Sequence, residues 1–391
     1  MSAVGASGSN VIIIGAGVVG AAIAHYCTAA GLSVRVLDRG QPGSGTSSRC
    51  EGNLLVSDKE HGAELDLANY SLALWRGELA EFAHLWEFEN KGGIIVASQE
   101  SSMMSLHRAL QTQRQHGIAV DEIDTDQLRE LEPNIAPQSV GAAYYPDDCQ
   151  VMPMLLVSHL LRMARDRGAS VHSQTEVTGF LTRGEHVTGV RTTKGIFTAD
   201  AVINAAGPWA ANVAATAGVS VPVTPRRGYV MVTEPMPFRV FHKVYAAEYI
   251  DNVGSSEEGL QTSPVVEGTQ AGSILVGSSR ERVGFDATPN PEALRQIAGN
   301  AIALFPFLSQ VRVLRHYFGF RPYSPDHVPV IGPDPRAPGL WHACGHEGAG
   351  VGLSVGTGKL MAQAITGAAT DLDLQEFAPE RFGDLNQEAS S

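Results

Sequence analysis

The sequence predicts an α/β protein in which a Rossmann-like domain is interleaved with an α+β domain built on an antiparallel sheet. Three observations lead there. Residues 10–40 read as an apolar run, a glycine-rich turn and an alanine-rich helix. Glycine-rich strand-and-helix segments return in the middle and at the end of the chain. The stretches between them have the short alternating patterns of sheet.

The first stretch is "NVIIIGAGVVGAAIAHYCTAAGLSVRVLDRG". Val11, Ile12, Ile13 and Ile14 have the continuous apolar character of a buried parallel strand. Residues 18–30 suit a helix packed on a sheet, Gly31 ends it, and "SVRVLD" reads as the second strand. Gly15, Gly17 and Gly20 are spaced G-x-G-x-x-G. In that pattern the first glycine permits the tight turn, the second lets backbone approach a pyrophosphate, and the third lets helix and strand pack closely. The anion then sits at a helix N-terminus, where free N–H groups and the helix dipole favour it. Asp38 ends the second strand, where a carboxylate accepts hydrogen bonds from a ribose. An acid there argues against a 2′-phosphate and so against NADP, leaving FAD and NAD open.

Residues 41–56, "QPGSGTSSRCEGNLLV", form a Gly/Ser-rich loop. Leu65, Ala68, Leu72, Trp75, Leu79 and Phe82 then recur at three- and four-residue intervals, predicting a helix with a buried face. "GGIIVAS" (92–98) reads as a strand, and 101–130 as helix with one polar face. Residues 153–171 read as helix, Gly stop and strand; 177–207 as short strands with Gly turns, closing in the small-residue cluster Ala205, Ala206 and Gly207. Residues 221–319 read as antiparallel sheet. From 339 the chain returns to Gly-rich loop and helix.

Composition narrows the function. In 391 residues, 43% are hydrophobic, 18% are charged and the net charge is −13. Nucleic acid and anionic membranes need basic surface, so neither is an expected partner. Cys27, Cys50, Cys149 and Cys344 form no C-x-x-C pair, which argues against a zinc ribbon or an iron–sulfur cluster. Few, scattered cysteines, no leader-like start and no long apolar run predict a cytoplasmic protein. "HACGH" sets His342, Cys344 and His346 close together, but no carboxylate or third imidazole is fixed by spacing, so no metal is expected.

Several separated motifs carry a resemblance: the N-terminal glycine turn, "GTSSRCEGNLL", "YYPDDCQVMP", "VINAAGPWA", "RRGYVMVTE", "LVGSSRERVGFD", "GFRPYSPDHVPVIG" and "GHEGAGVGLSVGTGKLMA". Their order and spacing resemble the D-amino acid oxidase family of FAD-dependent oxidoreductases. The similarity is strongest to the branch with glycine oxidase, sarcosine oxidase and amino-acid or opine dehydrogenase subunits. The resemblance implies an FAD-binding domain of the glutathione-reductase type from residues 1–90, 150–220 and 320–391. Residues 91–149 and 221–319 would form the substrate domain. Gly15, Gly17, Gly20 and Asp38 would hold the adenosine half, with Ser47 and Ser48 at the pyrophosphate and Val177, Ala205, Ala206 and Gly207 beside the adenosine. Gly52, Asn53 and Leu54 would line the flavin, and Gly348, Gly350, Gly352 and Leu353 would cradle its pyrimidine end. Val18, Val19, Arg39, Thr46, Trp209, Ala349 and Val351 complete the implied set. "YFGFRPYSPD" has no cysteine where some relatives attach flavin, so the FAD is expected to be non-covalent.

At the substrate end, the resemblance implies that Arg321 grips a carboxylate. Tyr249 or Tyr245 would cover the substrate, with Gln261 and His346 nearby. Glu51 would recognise a polar or cationic group or bond Arg49, and an Arg321–Asp326 pair is the structural alternative. The implied reaction is hydride transfer from the Cα–H of a small amino-acid-like substrate to flavin N5, giving an imine that hydrolyses. Alternatives are the catalytic FAD subunit of a heteromeric opine, proline or hydroxyproline dehydrogenase, a non-catalytic flavin-binding assembly subunit, and an NAD-dependent dehydrogenase. A homo-oligomer or redox partner subunits would accompany it.

Overall fold

A computed structural model describes residues 10–247 and 256–383. The chain begins with β1 (Asn10–Ile14), α1 (Val18–Ala29), β2 (Ser33–Leu37), β3 (Asn53–Leu54) and α2 (Ala63–Arg76). It continues through β4 (Gly93–Ala97), α3 (Glu100–Gln115), β5 (Asp121–Ile123), α4 (Thr125–Leu131), β6 (Gly141–Tyr145), β7 (Cys149–Gln150), α5 (Pro153–Asp166) and β8 (Ser170–His172). Next are β9 (Val177–Arg183), β10 (His186–Thr192), β11 (Gly195–Thr198), β12 (Ala201–Asn204), α6 (Ala210–Ala215), β13 (Thr224–Thr233) and β14 (Lys243–Ala246). The last are β15 (Gln261–Gly268), β16 (Ile274–Arg280), α7 (Pro291–Leu304), β17 (Val313–Tyr323), β18 (Val330–Pro333), β19 (Leu340–Cys344) and α8 (Gly350–Thr366).

Two large sheets dominate. The first has six strands in the order β18-β19-β12-β1-β2-β8, parallel except for the edge strand β18. Its central strand β1 is apolar because both faces are covered, Val11 and Ile13 by α1 and Ile12 and Ile14 by the three-stranded sheet β11-β10-β9. The second has eight strands in the order β17-β13-β16-β15-β14-β4-β6-β5. It is antiparallel except where β14 runs parallel to β4. That mixed pairing corrects the expectation of a purely antiparallel sheet, and it arises because two distant chain segments meet in the sheet's middle.

Other local readings also change. Residues 101–130 are not one helix: α3 ends at Gln115, β5 intervenes, and α4 starts on an Asp124–Gln127 capping box. The helix of Leu65 stops at Arg76, with Gly77 as its cap. Leu79 nonetheless stays in the core and Phe82 packs against it from a following 3-10 turn. Within 221–319 a helix appears, α7, with the Asn290 side chain accepting from Ala293 N–H and Pro291 at its first position. That start signal was in the sequence.

The glycine turn is held by steric necessity. Gly15 has φ +111°, and a Cβ there would collide with the Ala205 carbonyl after β12. A Cβ on Gly20 would collide with the Gly15 carbonyl. The helix therefore rides on the turn. α8 packs closely on α1, where a Cβ on Gly358 would lie 2.7 Å from the Ala22 carbonyl carbon. Gly20→Ala is expected to destabilise the fold by about 1–3 kcal/mol through overpacking and to weaken dinucleotide binding. Thermal unfolding with and without added cofactor checks both effects.

Candidate active site

A cavity of about 630 Å³ opens at the carboxyl ends of β1, β2 and β12. This is the topological switch point, since the strands on either side of β1 are reached in opposite directions. Roughly 300–1,000 Å³ is the usual size of a ligand or cofactor pocket.

At its nucleotide end lie Gly15, Gly17, Val18, Val19, Asp38 and Arg39. Asp38 accepts from Ala16 N–H at 2.7 Å and Gly40 N–H at 2.7 Å, fixing the loops on both sides of it. Ser47 also lines the cavity, and its Oγ accepts from Val18 N–H at 3.0 Å at the start of α1. Thr46 donates to the Phe320 carbonyl at 2.6 Å, tying this loop to β17. Val177, Ala205, Ala206, Gly207 and Trp209 form the opposite wall. Arg39 stacks its guanidinium over one side of Trp209, 3.9 Å from the ring centroid. The Phe285 ring stacks with Trp209 at 5.3 Å and 5°.

The other end is built from both sheets. Gly52, Asn53, Gly348, Gly350, Val351, His346, Glu51 and Arg321 all line it. Arg321 is delivered by β17 and donates to the Ser279 carbonyl at 2.9 Å. A Cβ on Gly348 would lie 3.8 Å from Arg321 Nε, so this arginine reaches the glycine cradle. Asp326 is not its partner: that carboxylate pairs with Arg381 at 2.7 Å. Nor does Glu51 bond Arg49, whose guanidinium donates to the Phe318 carbonyl at 3.0 Å. Burial pushes the Glu51 carboxyl up, with Arg321 pulling the other way. Burial holds the His346 imidazole down at about 3, and its Nε2 meets Thr357 Oγ1 at 3.0 Å. His346 is therefore neutral at ordinary pH.

The remaining sequence-derived candidates stand elsewhere. Gly20 serves helix packing rather than the cavity wall. Ser48 donates to the Gly45 carbonyl at 3.1 Å and does not line the cavity. Leu54, Ala349, Gly352 and Leu353 line a small adjoining void with Trp75, where Gly352 of α8 lies against Leu54 of β3. Gln261 lies on β15 outside the cavity wall, accepting from Arg226 at 3.2 Å. Tyr249 lies outside the described residues. Tyr245 is no cover for the cavity: it is fully buried and hydrogen-bonds Ser57 and Asp148. Burial pushes Asp148 up to about 6. In "HACGH", His342 is buried against Asp334 at 3.0 Å. Among the described residues no group of three or more His, Cys, Asp or Glu could hold a metal ion, and no helix is long and apolar enough to cross a membrane.

Sequence reasoning missed Phe285 and Glu347. Phe285 sits in the quoted "RVGFD", but only the fold stacks it on Trp209. Glu347 lines the cavity beside His346 and faces Arg226 at 3.8 Å.

A parallel sheet with its glycine turn, an acid at the second strand and a cavity shared with a second sheet define the class: a dinucleotide-binding protein. The comparisons narrow it. The model of the family described as "FAD dependent oxidoreductase" matches residues 10–364, and the chain belongs to that family. It is 30% identical to glycine oxidase of Geobacillus kaustophilus, over 95% of this chain and 97% of that one. It is 28% identical to hydrogen cyanide synthase subunit HcnC of Pseudomonas protegens, over 95% of this chain and 96% of the other. The structure of L-proline dehydrogenase from P. horikoshii matches with a TM-score of 0.86 at 25% identity, covering 96% of this chain and 98% of that chain. FAD is the cofactor, and the residues present fit it. The start of α1 faces the cavity, Gly17 leaves room where a Cβ would approach Ser47 Oγ at 3.2 Å, and a second glycine cradle waits at the far end.

Two predictions follow from this geometry. Trp209→Ala removes a cation–π contact and a ring stack, each worth about 0.5–1.5 kcal/mol, and is expected to raise the FAD dissociation constant about tenfold or more; flavin fluorescence on dilution measures it. His346 has its folded pKa near 3, below the ordinary 6.5. His25 is likewise lowered by burial to about 4. As pH falls below about 6.5 the unfolded chain takes up these protons and the folded chain does not, so stability drops. Between pH 7 and 4 the thermal midpoint of wild type is expected to drop relative to that of His25→Gln, a difference that separates the histidine from the buried Asp148 and Glu51 carboxyls, whose raised proton affinity acts the other way.

Proposed function

We propose that this protein oxidises the C–N bond of an amino acid or N-substituted amino acid, with the carboxylate of the substrate held by Arg321. Arg321 carries the reading. A guanidinium presents a planar fork of donors that matches a carboxylate in two parallel hydrogen bonds. Its place in the cavity wall beside Gly348, with Asp326 engaged by Arg381, supports a role toward a ligand rather than a surface ion pair.

FAD, when bound non-covalently, supplies the hydride acceptor. The chain's own part is to orient and to exclude water. Arg321 fixes the carboxylate end. Gly348 and Gly350 let the cofactor's ring approach backbone. His346, neutral and buried, offers no competing charge. Cys50 and Cys344, which line the cavity, have thiols pushed up to about 12 by burial and so stay protonated. The product imine is hydrolysed by water. The four free cysteines support a reducing, cytoplasmic setting.

A second reading makes the chain the catalytic FAD subunit of a heteromeric opine, proline or hydroxyproline dehydrogenase. The similarity to a protein named as a subunit of hydrogen cyanide synthase and to an L-proline dehydrogenase favours it. An anaerobic screen for flavin bleaching with glycine, sarcosine, D-amino acids, prolines and opines identifies the substrate. A non-catalytic assembly subunit would show no bleaching with any of them.

Arg321→Ala is expected to keep FAD and lose about 1.5–3 kcal/mol for each charge-assisted hydrogen bond to the carboxylate. Arg321→Lys is expected to recover part of this, and the matching substrate amide to be nearly indifferent. Flavin reduction rates against concentration, for acid and amide, make the measurement. Equal behaviour of mutant and wild type toward the acid would sink the proposal.

A further inference from the structure

Glu51 poses a problem that the carboxylate clamp leaves open. It lies in the loop before β3 and is only 9% exposed, yet it lines the cavity. Its Oε1 has no hydrogen-bond partner among the described residues. The carboxylate rests against bare backbone of β16, where a Cβ on Gly277 would collide with Oε1. A buried acid without hydrogen bonds is costly unless something brought into the site completes it.

We infer that Glu51 receives the nitrogen of the substrate: its carboxylate pairs with the ammonium and takes one proton from it. This rests on the proposed amino-acid reading and extends it. In the step an N–H bond breaks, an O–H bond forms on Glu51, and the electron pair stays on nitrogen. The resulting neutral amine has the lone pair that must push as the Cα hydride leaves to the flavin. Arg321 and Glu51 line the same cavity with opposite charges, as a zwitterion requires.

The groups facing Glu51 agree with this. Arg321 and Tyr317 face it from β17, Arg280 from β16, Glu267 from β15 and Lys243 from β14, with Cys50 adjacent in the chain. Glu267 is engaged by Lys243 in a fully buried ion pair, so it is not the acid that meets the substrate. Burial, the largest influence on Glu51, raises its proton affinity and makes it a better acceptor than an exposed carboxylate.

Two measurements on the FAD-loaded protein test this. The first reads binding alone, by perturbation of the flavin spectrum. 2-Aminoisobutyrate carries an amine but no Cα–H, so it binds without being oxidised; isobutyrate has the same carboxylate and no amine. Glu51→Gln is expected to weaken 2-aminoisobutyrate about tenfold or more and leave isobutyrate unchanged. Arg321→Ala is expected to weaken both, so failure of the carboxylate clamp shows separately. If Glu51→Gln affects the two ligands equally, or neither, the inference is overturned. The second measurement follows anaerobic flavin reduction against pH with substrates of different amine basicity. The wild-type rising limb is expected to stay at one pH, set by Glu51. In Glu51→Gln it should move up to the amine's own pKa, with the rate recovering above it. A wild-type limb that tracks amine basicity overturns the proton transfer even if the variant does not fold. So does a folded variant that stays inactive above the amine's pKa.

Discussion

The close approach of three backbone segments is the constraint on which the rest of the molecule depends. Gly15 turns with positive φ beneath Ala205, and Gly20 lets α1 settle on that turn. The start of the helix is thereby aimed into the cavity instead of into protein. Ser47 and Asp38 are recruited from the following loops to bond Val18 N–H and Ala16 N–H. Ser47 thus takes one of the N–H groups at the start of α1, and nucleotide binding draws on the others of that first turn and on the helix dipole.

The second sheet answers a different problem, how to place charge where water is scarce. Lys243 and Glu267 are fully buried and pair with each other. Such a pair adds little to stability, because desolvation offsets the attraction, but removing one partner would be severe. Beside it lie Glu51 and Arg321, both of which line the cavity. The sheet therefore acts as a rigid frame that carries charges to one end of a cleft whose other end belongs to the parallel sheet. The buried Ser57–Tyr245–Asp148 network ties this sheet to the two-stranded β3–β7 ribbon, since Ser57 follows β3 and Tyr245 lies on β14.

An aromatic contact in the cavity wall joins the two large sheets. Trp209 follows β12, Arg39 follows β2, and Phe285 comes from the loop between β16 and α7. Phe320 packs edge-on against Phe285 from β17. A cofactor lying along the cleft would be covered where this sandwich crosses it.

The sequence by itself determined the parts that depend on neighbours in the chain. The strand, turn and helix around Gly15, Gly17 and Gly20, the acid at Asp38 and the glycine run before α8 all follow from local sterics and hydrogen bonding. The start of α7 is equally local, at Asn290 and Pro291, although the stretches that flank it read as sheet. Tertiary structure decided the rest. Asp326 pairs with Arg381, while Arg321 lines the cavity. Tyr245, which resemblance placed over the substrate, is buried because β14 runs in the middle of its sheet between β15 and β4. Glu51 lies on Gly277 because a loop of one sheet meets a strand of the other. Such contacts join residues that no spacing rule relates. A charge's partner and its exposure are set only once both sheets have formed and closed on one cavity.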